Sequence, residues 1–163
     1  MPTDSSPNAL IIEAELMPLI RERLAAGQRV RYLPFRGISM LPMLRQGIDT
    51  VELAPLPEKL QKYDLPVYQY PSGKYVMHRI VKVRKDHYIC LGDNTYQYEK
   101  IRREQMLGIV SAFKRGDKRI ETDAFSYRLY CRIWVAALPA RKVLNRAFGW
   151  IKRHMKHEDR AKF

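Results

Sequence analysis

The chain has 163 residues, with 30 Lys and Arg against 17 Asp and Glu, a formal net charge of +13 and a pI near 9.9. That length suits one domain that buries its own core. Its two cysteines, Cys90 and Cys131, lie in apolar surroundings and form neither a metal-ligand spacing nor a disulfide framework, which points to a reducing compartment. The basic balance asks for an acidic partner, whether nucleic acid, an anionic membrane surface or an acidic peptide, and no run reaches the ~20 apolar residues of a membrane-spanning helix.

Residues 1–8 are polar and punctuated by Pro2 and Pro7, a composition expected to be disordered, and they lack the basic start and apolar run of a secretory signal. Residues 9–27 read as an N-terminal amphipathic helix. Leu10, Ile11, Ala14, Leu16, Met17, Ile20 and Leu24 recur at helical spacing, Pro18 interrupts them and Gly27 ends them. One helix does not make a helix-turn-helix, so nucleic acid is not an expected partner.

From residue 28 the texture is short β runs: 30–33, 49–53, 66–70, one long strand over 74–85, then 87–91 and 106–113. Turn signals such as Pro71-Ser72-Gly73 separate them and no helix intervenes. The fold class expected is therefore mainly β, an antiparallel, coiled β core over residues 28–122. After Lys114-Arg115-Gly116-Asp117 the pattern turns helical, and residues 123–163 read as a basic C-terminal helical appendage. Its two amphipathic segments, 127–137 and 141–156, are separated by Pro139, and Leu144, Phe148, Ile151 and Met155 form a stripe on the second. Docking on the domain and peripheral contact with a membrane surface, the latter suited by Trp134, Phe148, Trp150 and the Lys/Arg-rich face, both remain open for these helices.

The chemistry centres on Gly37-Ile38-Ser39-Met40-Leu41-Pro42, where glycine and proline bracket a serine in a sharply held turn. A hydroxyl held rigidly beside backbone N–H groups without a strand partner has the makings of a nucleophile next to an oxyanion hole. Downstream come His78, within Met77-His78-Arg79-Ile80-Val81, and then Gly92-Asp93-Asn94. His87 sits in a charged turn and reads as solvated. His154 and His157 have no third ligand type beside them, so no metal site follows, and no phosphate loop or cofactor motif appears.

Gly-x-Ser-Met-x-Pro, then His-Arg-Ile-Val, then Gly-Asp-Asn, in that order, resembles the signal peptidase I and LexA-type serine peptidase superfamily. The resemblance spans residues 32–113 and includes the tract 44–51, which is similar to the family's strand after the nucleophile. It is nearer to the branch with a Ser–His pair, as in endoplasmic-reticulum-type and spore-former-type signal peptidases, than to the Ser–Lys branches. It implies a LexA/signal-peptidase-like fold with Ser39 as nucleophile and His78 as general base, a role histidine fills with little tuning because its ordinary pKa is ~6.5. It implies an acidic residue at Asp93 that orients His78 or supports the site, and a second acidic position at Glu99, where Asp is usual in the family. Substrate and oxyanion contacts fall to Gly37, Ile38, Ser39, Met40 and Met77, with only backbone donors at Gly37.

The activity implied is a serine endopeptidase that removes a leader or signal segment from a peptide or protein bound as an extended strand, with small residues near the cut, no cofactor and no metal. The chain departs from the pattern at Tyr63-Asp64, which replaces a Gly-Asp pair, and in having no N-terminal membrane anchor. That suggests a processing peptidase in the cytoplasm or peripheral at the inner face of a membrane. Two other readings stay open: a non-catalytic binding or regulatory module that turns its basic surface to nucleic acid or an anionic membrane, and an inactive scaffold tethered by its C-terminal helices.

Overall fold

The computed structural model describes residues 7–33, 37–45 and 47–143. The segment 1–6 and the helical stripe expected beyond Val143, with His154, His157 and Trp150, lie outside them. Helix α1 (Pro7–Ala25) starts two residues before the expected onset and runs unbroken through Pro18. Pro18 is exposed, so the carbonyl it deprives of a partner faces water, while Met17, Ile20 and Leu24 are buried on the opposite side.

The described residues are mainly β, with two antiparallel sheets and a few helices. The larger sheet joins β1 (Val30–Tyr32), β2 (Thr50–Ala54), β3 (Pro66–Gln69), β4 (Tyr75–Met77), β8 (Met106–Arg115) and β9 (Lys118–Glu121). Its spatial order is β1-β2-β8-β3-β4, with β9 on the same side of β8 as β3. The smaller sheet, in order, is β5 (Arg79–Val83), β6 (Tyr88–Leu91) and β7 (Glu99–Ile101).

Three strand expectations are corrected. The run read as one strand over 74–85 is two strands: β4 pairs with β3, β5 pairs with β6, and His78 between them belongs to neither ladder. The chain passes from one sheet to the other at that residue. Residues 118–121, within the expected β core but given no strand there, turn back through Gly116-Asp117 as β9 against β8. The short strand β7 had no counterpart in the sequence reading.

Alternate residues of the larger sheet feed two cores, as a pleated strand requires. Val67, Leu107 and Val110 join Met17, Ile20 and Leu24 of α1 on one face. Tyr68 and Met106 join Ile80, Cys90 and Ile101 of the smaller sheet on the other. Helix α2 (Phe125–Ala136) also packs on the first core, through Tyr127 and Cys131. This part of the expected appendage is thus docked on the β core. The chain leaves α2 at Ala137 and is helical again over 138–143, so Pro139 sits in the first turn of the new segment, where its missing N–H costs nothing. The outward face of α2 is apolar: Phe125, Leu129 and Ile133, four residues apart, are 80%, 44% and 61% exposed.

Candidate active site

The Ser39 turn is pinned from below and from behind. Met40, Met43 and Leu44 are buried in the first core, while Ile38 stays exposed and Ser39 half-buried. Asp49, buried, accepts the backbone N–H of Arg45 at 2.8 Å and its guanidinium at 2.7 Å, closing the loop that follows the serine. Gly37 has φ of 124°, a conformation that side chains disfavour, and the Leu41–Pro42 peptide is cis. Among the described residues no acceptor takes the backbone N–H of Ser39, which leaves it available as an oxyanion donor. Met40 and Met77 are buried, so they offer a substrate their backbone rather than their side chains.

The Gly92-Asp93-Asn94 turn meets this loop, and each of its residues has a separate task. Asn94 donates its backbone N–H to the Ser39 carbonyl at 2.7 Å and its side-chain amide to the Ile38 carbonyl at 3.1 Å. Gly92 makes room: a Cβ there would lie 2.8 Å from the Ser39 carbonyl oxygen and 3.1 Å from Cδ2 of His78. The serine loop and the imidazole therefore touch the same small surface. Asp93 points elsewhere, forming a two-point ion pair with Arg79, Nε to Oδ1 at 2.8 Å and Nη2 to Oδ2 at 2.6 Å.

His78, buried, is oriented instead by Glu99 of β7, whose Oε2 lies 2.9 Å from Nδ1. Tyr68 and Tyr70, two residues apart on and just after β3, both donate phenolic hydrogen bonds to Glu99. The Tyr68 oxygen also lies 3.1 Å from Nδ1. Burial pushes the Glu99 carboxyl up, but the hydrogen bonds from His78, Tyr68 and Tyr70 outweigh it and hold it at about 2. An ionised carboxylate only accepts, so Nδ1 carries the proton and the lone pair of His78 is on Nε2. Nε2 is bonded to Cδ2, and Cδ2 lies against Gly92, whose other close neighbour is the Ser39 carbonyl oxygen. Among the described residues no hydrogen bond joins Ser39 Oγ to the ring, and such hydrogen bonds are often long or poorly aligned in substrate-free sites. Cys90, nearby, is no rival nucleophile, because burial and Glu99 push its thiol up to about 12.

Of the two roles left open for Asp93, orienting His78 or supporting the site, its pairing with Arg79 fits the second, and Glu99, the second acidic position, is the carboxylate beside the ring. Arg79, fully buried, also donates to the Tyr127 hydroxyl at 2.8 Å and to the Tyr63 carbonyl at 3.3 Å, and it contacts Cys131 and Met43 sulfurs. Burial opposes its charge, while Tyr127 and Asp93 outweigh that and hold the guanidinium charged. Tyr63, standing where the resembled pattern has glycine, takes the glycine-like φ of 80°. Two bonds to Ile80, Tyr63 N–H to its carbonyl at 2.7 Å and Ile80 N–H to the Asp64 carbonyl at 2.8 Å, offset a strain of roughly 1–2 kcal/mol. The carbonyl of Asp93 accepts from Trp134 Nε1 at 3.0 Å and from Arg141, whose guanidinium stacks 3.7 Å above the Trp134 ring. Arg79, Asn94, Tyr68 and Tyr70 were not assigned roles from sequence; the signals were an arginine inside an apolar strand and two tyrosines at period two.

The depressed Glu99 carboxyl makes a pH prediction. A lowered pKa contributes stability that is present above the ordinary value of 4.5 and is lost as pH falls toward about 2. The urea midpoint of the wild type should therefore exceed that of Glu99→Gln above pH 4.5, with the gap closing as pH approaches 2. A gap that stays constant across that window would contradict the charged Glu99.

Among the described residues no helix is long and apolar enough to cross a membrane. Comparison with protein-family models, curated proteins and solved structures found no match to this chain.

Proposed function

We propose that the chain is a serine endopeptidase of LexA/signal-peptidase-like fold, in which Ser39, His78 and Glu99 form the catalytic unit and a leader or signal segment is the substrate. The observation that carries this reading is the placement of His78: Nδ1 is tied to a carboxylate while Cδ2, bonded to Nε2, abuts Gly92 beside the Ser39 carbonyl. In the first step Ser39 Oγ attacks the scissile carbonyl as its proton passes to His78 Nε2. Glu99 stabilises the imidazolium that results, and the Ser39 N–H receives the oxyanion. Collapse breaks the C–N bond, His78 returns the proton to the leaving amine, and an acyl-Ser39 remains. Water, deprotonated by the same Nε2, then releases the acid and restores the serine.

The outer edge of β4, the terminal strand of its sheet, leads straight into His78 and suits a substrate added as an extended strand. Cleavage of a mixed peptide library, read by mass spectrometry, tests the reading. Cut products are expected with the wild type and none with Ser39→Ala; identical products from both would refute it. We place the enzyme in the cytoplasm or at the inner face of a membrane.

A second property is favoured by one observation, the exposed row Phe125, Leu129 and Ile133 with exposed Arg132 on the same face of α2, which suits peripheral contact with an anionic bilayer. Sedimentation with phosphatidylserine vesicles should be lost in Phe125→Ser/Ile133→Ser, and unchanged sedimentation would remove this contact.

A further inference from the structure

An open cleft of about 810 Å³ lies on the Glu99 side of the candidate site, lined among others by Arg21 of α1, Gln69 and Tyr70 at the end of β3, Lys100 of β7, Arg102 and Glu104. Its lining holds three cations, Arg21 from α1 and Lys100 and Arg102 two residues apart, and one carboxylate, Glu104. Elsewhere the arginines near carboxylates are neutralised: Arg31 and Arg119 on Glu52, Arg45 on Asp49, Arg79 on Asp93 and Arg128 on Asp64. Among the described residues none of Arg21, Lys100 and Arg102 takes part in an ion pair. A concave surface of one sign concentrates ligands of the other.

The cleft floor is organised rather than loose. Gln105 accepts the Arg102 backbone N–H at 2.9 Å and donates to the Gln69 carbonyl at 3.4 Å, tying the end of β3 to the segment that carries Arg102. The cleft is also joined to the catalytic unit, because Tyr70 lines it while its phenol holds Glu99. Tyr70 sits opposite Lys74, whose carbonyl accepts its N–H at 2.9 Å, and Tyr70 and Pro71 line the cleft, so one end of it lies beside the β3–β4 turn, at the far end of that ladder from His78. An extended chain covers the stretch from His78 back to Lys74 in about four residues at ~3.3 Å each.

We propose that this cleft binds the carboxylate side chains of an acidic segment in the substrate, roughly four to six residues from the cleaved bond. The proposal rests on the peptidase reading for its substrate but not for its binding chemistry. An acidic peptide fits better than a phosphate group. Glu104 opposes a compact dianion, whereas separate carboxylates can reach Arg21, Lys100 and Arg102 individually.

The test measures binding in the full chain carrying Ser39→Ala, so that no turnover is involved. The probes are a fluorescein-labelled octapeptide with alternate glutamates and its glutamine counterpart, followed by anisotropy. The glutamate peptide should bind about tenfold or more tightly than the glutamine peptide, and adding Lys100→Gln/Arg102→Gln should remove about tenfold. Arg115→Gln/Lys118→Gln, on the exposed β8–β9 hairpin, should change affinity less than about twofold. Equal losses in the two double variants would overturn the proposal in favour of diffuse surface charge. Displacement of the peptide by inorganic phosphate at concentrations where sodium chloride of equal ionic strength has no effect would overturn it in favour of an oxyanion site. Glutamate-selective binding in a protein that cuts no peptide would leave the cleft assignment standing and refute the peptidase; cleavage without glutamate-selective binding would do the reverse.

Discussion

An Arg79→Ala variant is expected to lose about 3–5 kcal/mol of unfolding free energy, the cost of stranding one member of a buried ion pair. Arg79 has no exposure to solvent, and its side-chain donors meet Asp93, Tyr127, Tyr63, Cys131 and Met43. Those partners come from the turn beside the serine loop, from α2, from the turn before β3 and from the serine loop itself, so one guanidinium closes four segments on one another. Truncation leaves the Asp93 carboxylate buried without the guanidinium that bonds both of its oxygens. A domain of this kind commonly has about 5–15 kcal/mol in total, so the variant should unfold at a much lower urea concentration. Replacing both charges, as Arg79→Met/Asp93→Leu, should recover much of the loss, because two apolar groups of similar volume no longer ask for solvation. A double variant no more stable than Arg79→Ala would show that shape or the secondary contacts, rather than the unpaired charge, set the cost.

The second large effect separates the two acidic residues by what they damage. Glu99→Gln should reduce cleavage by about 10²–10⁴-fold, well beyond what its lowered urea midpoint explains, since it removes the charge that fixes the Nδ1–H tautomer and stabilises the imidazolium. The neutral amide of that variant can donate to Nδ1 and so invert the tautomer, leaving the proton on Nε2, where a base needs a lone pair. Asp93→Asn should show a lowered urea midpoint with a much smaller catalytic loss, because its carboxylate faces Arg79 and not the imidazole. The measurement is kcat/KM beside the urea midpoint for both variants. Intact stability with abolished cleavage in Asp93→Asn, and normal cleavage in Glu99→Gln, would reverse the assignment.

Much of the β framework was legible in the sequence, because period-two runs and Gly/Pro turns report one-sided burial directly. The failures have specific physical causes. The run of β-forming residues continues on both sides of His78, without a glycine, proline or other turn signal, so nothing local marks the change of partner from β3 to β6; that break is decided by which strands lie alongside. Strand β9, Lys-Arg-Ile-Glu, has almost no apolar content and exists because β8 offers it a free edge. Pro18 reads as a helix breaker, yet on the solvent side of α1 it is accommodated.

At the site, motif order located Ser39, His78 and the Gly-Asp-Asn turn, but it could not decide which carboxylate faces the ring. Asp93 and Glu99 are both within reach in sequence. The choice depends on the fully buried Arg79, which takes Asp93, and on Tyr68 and Tyr70, whose period-two spacing delivers two hydroxyls to Glu99. Such groupings of residues from separate strands carry no local signature.

The most direct test of the account is covalent labelling of the folded protein with a fluorophosphonate, whose fluoride leaves as the activated serine oxygen bonds to phosphorus. Mass spectrometry of the peptide containing Ser39 should find one adduct in the wild type, none in Ser39→Ala, and a rate reduced about hundredfold or more in His78→Ala. An adduct forming on Ser39 equally fast in His78→Ala, or no adduct on Ser39 of the folded wild type, would contradict an activated serine at this site.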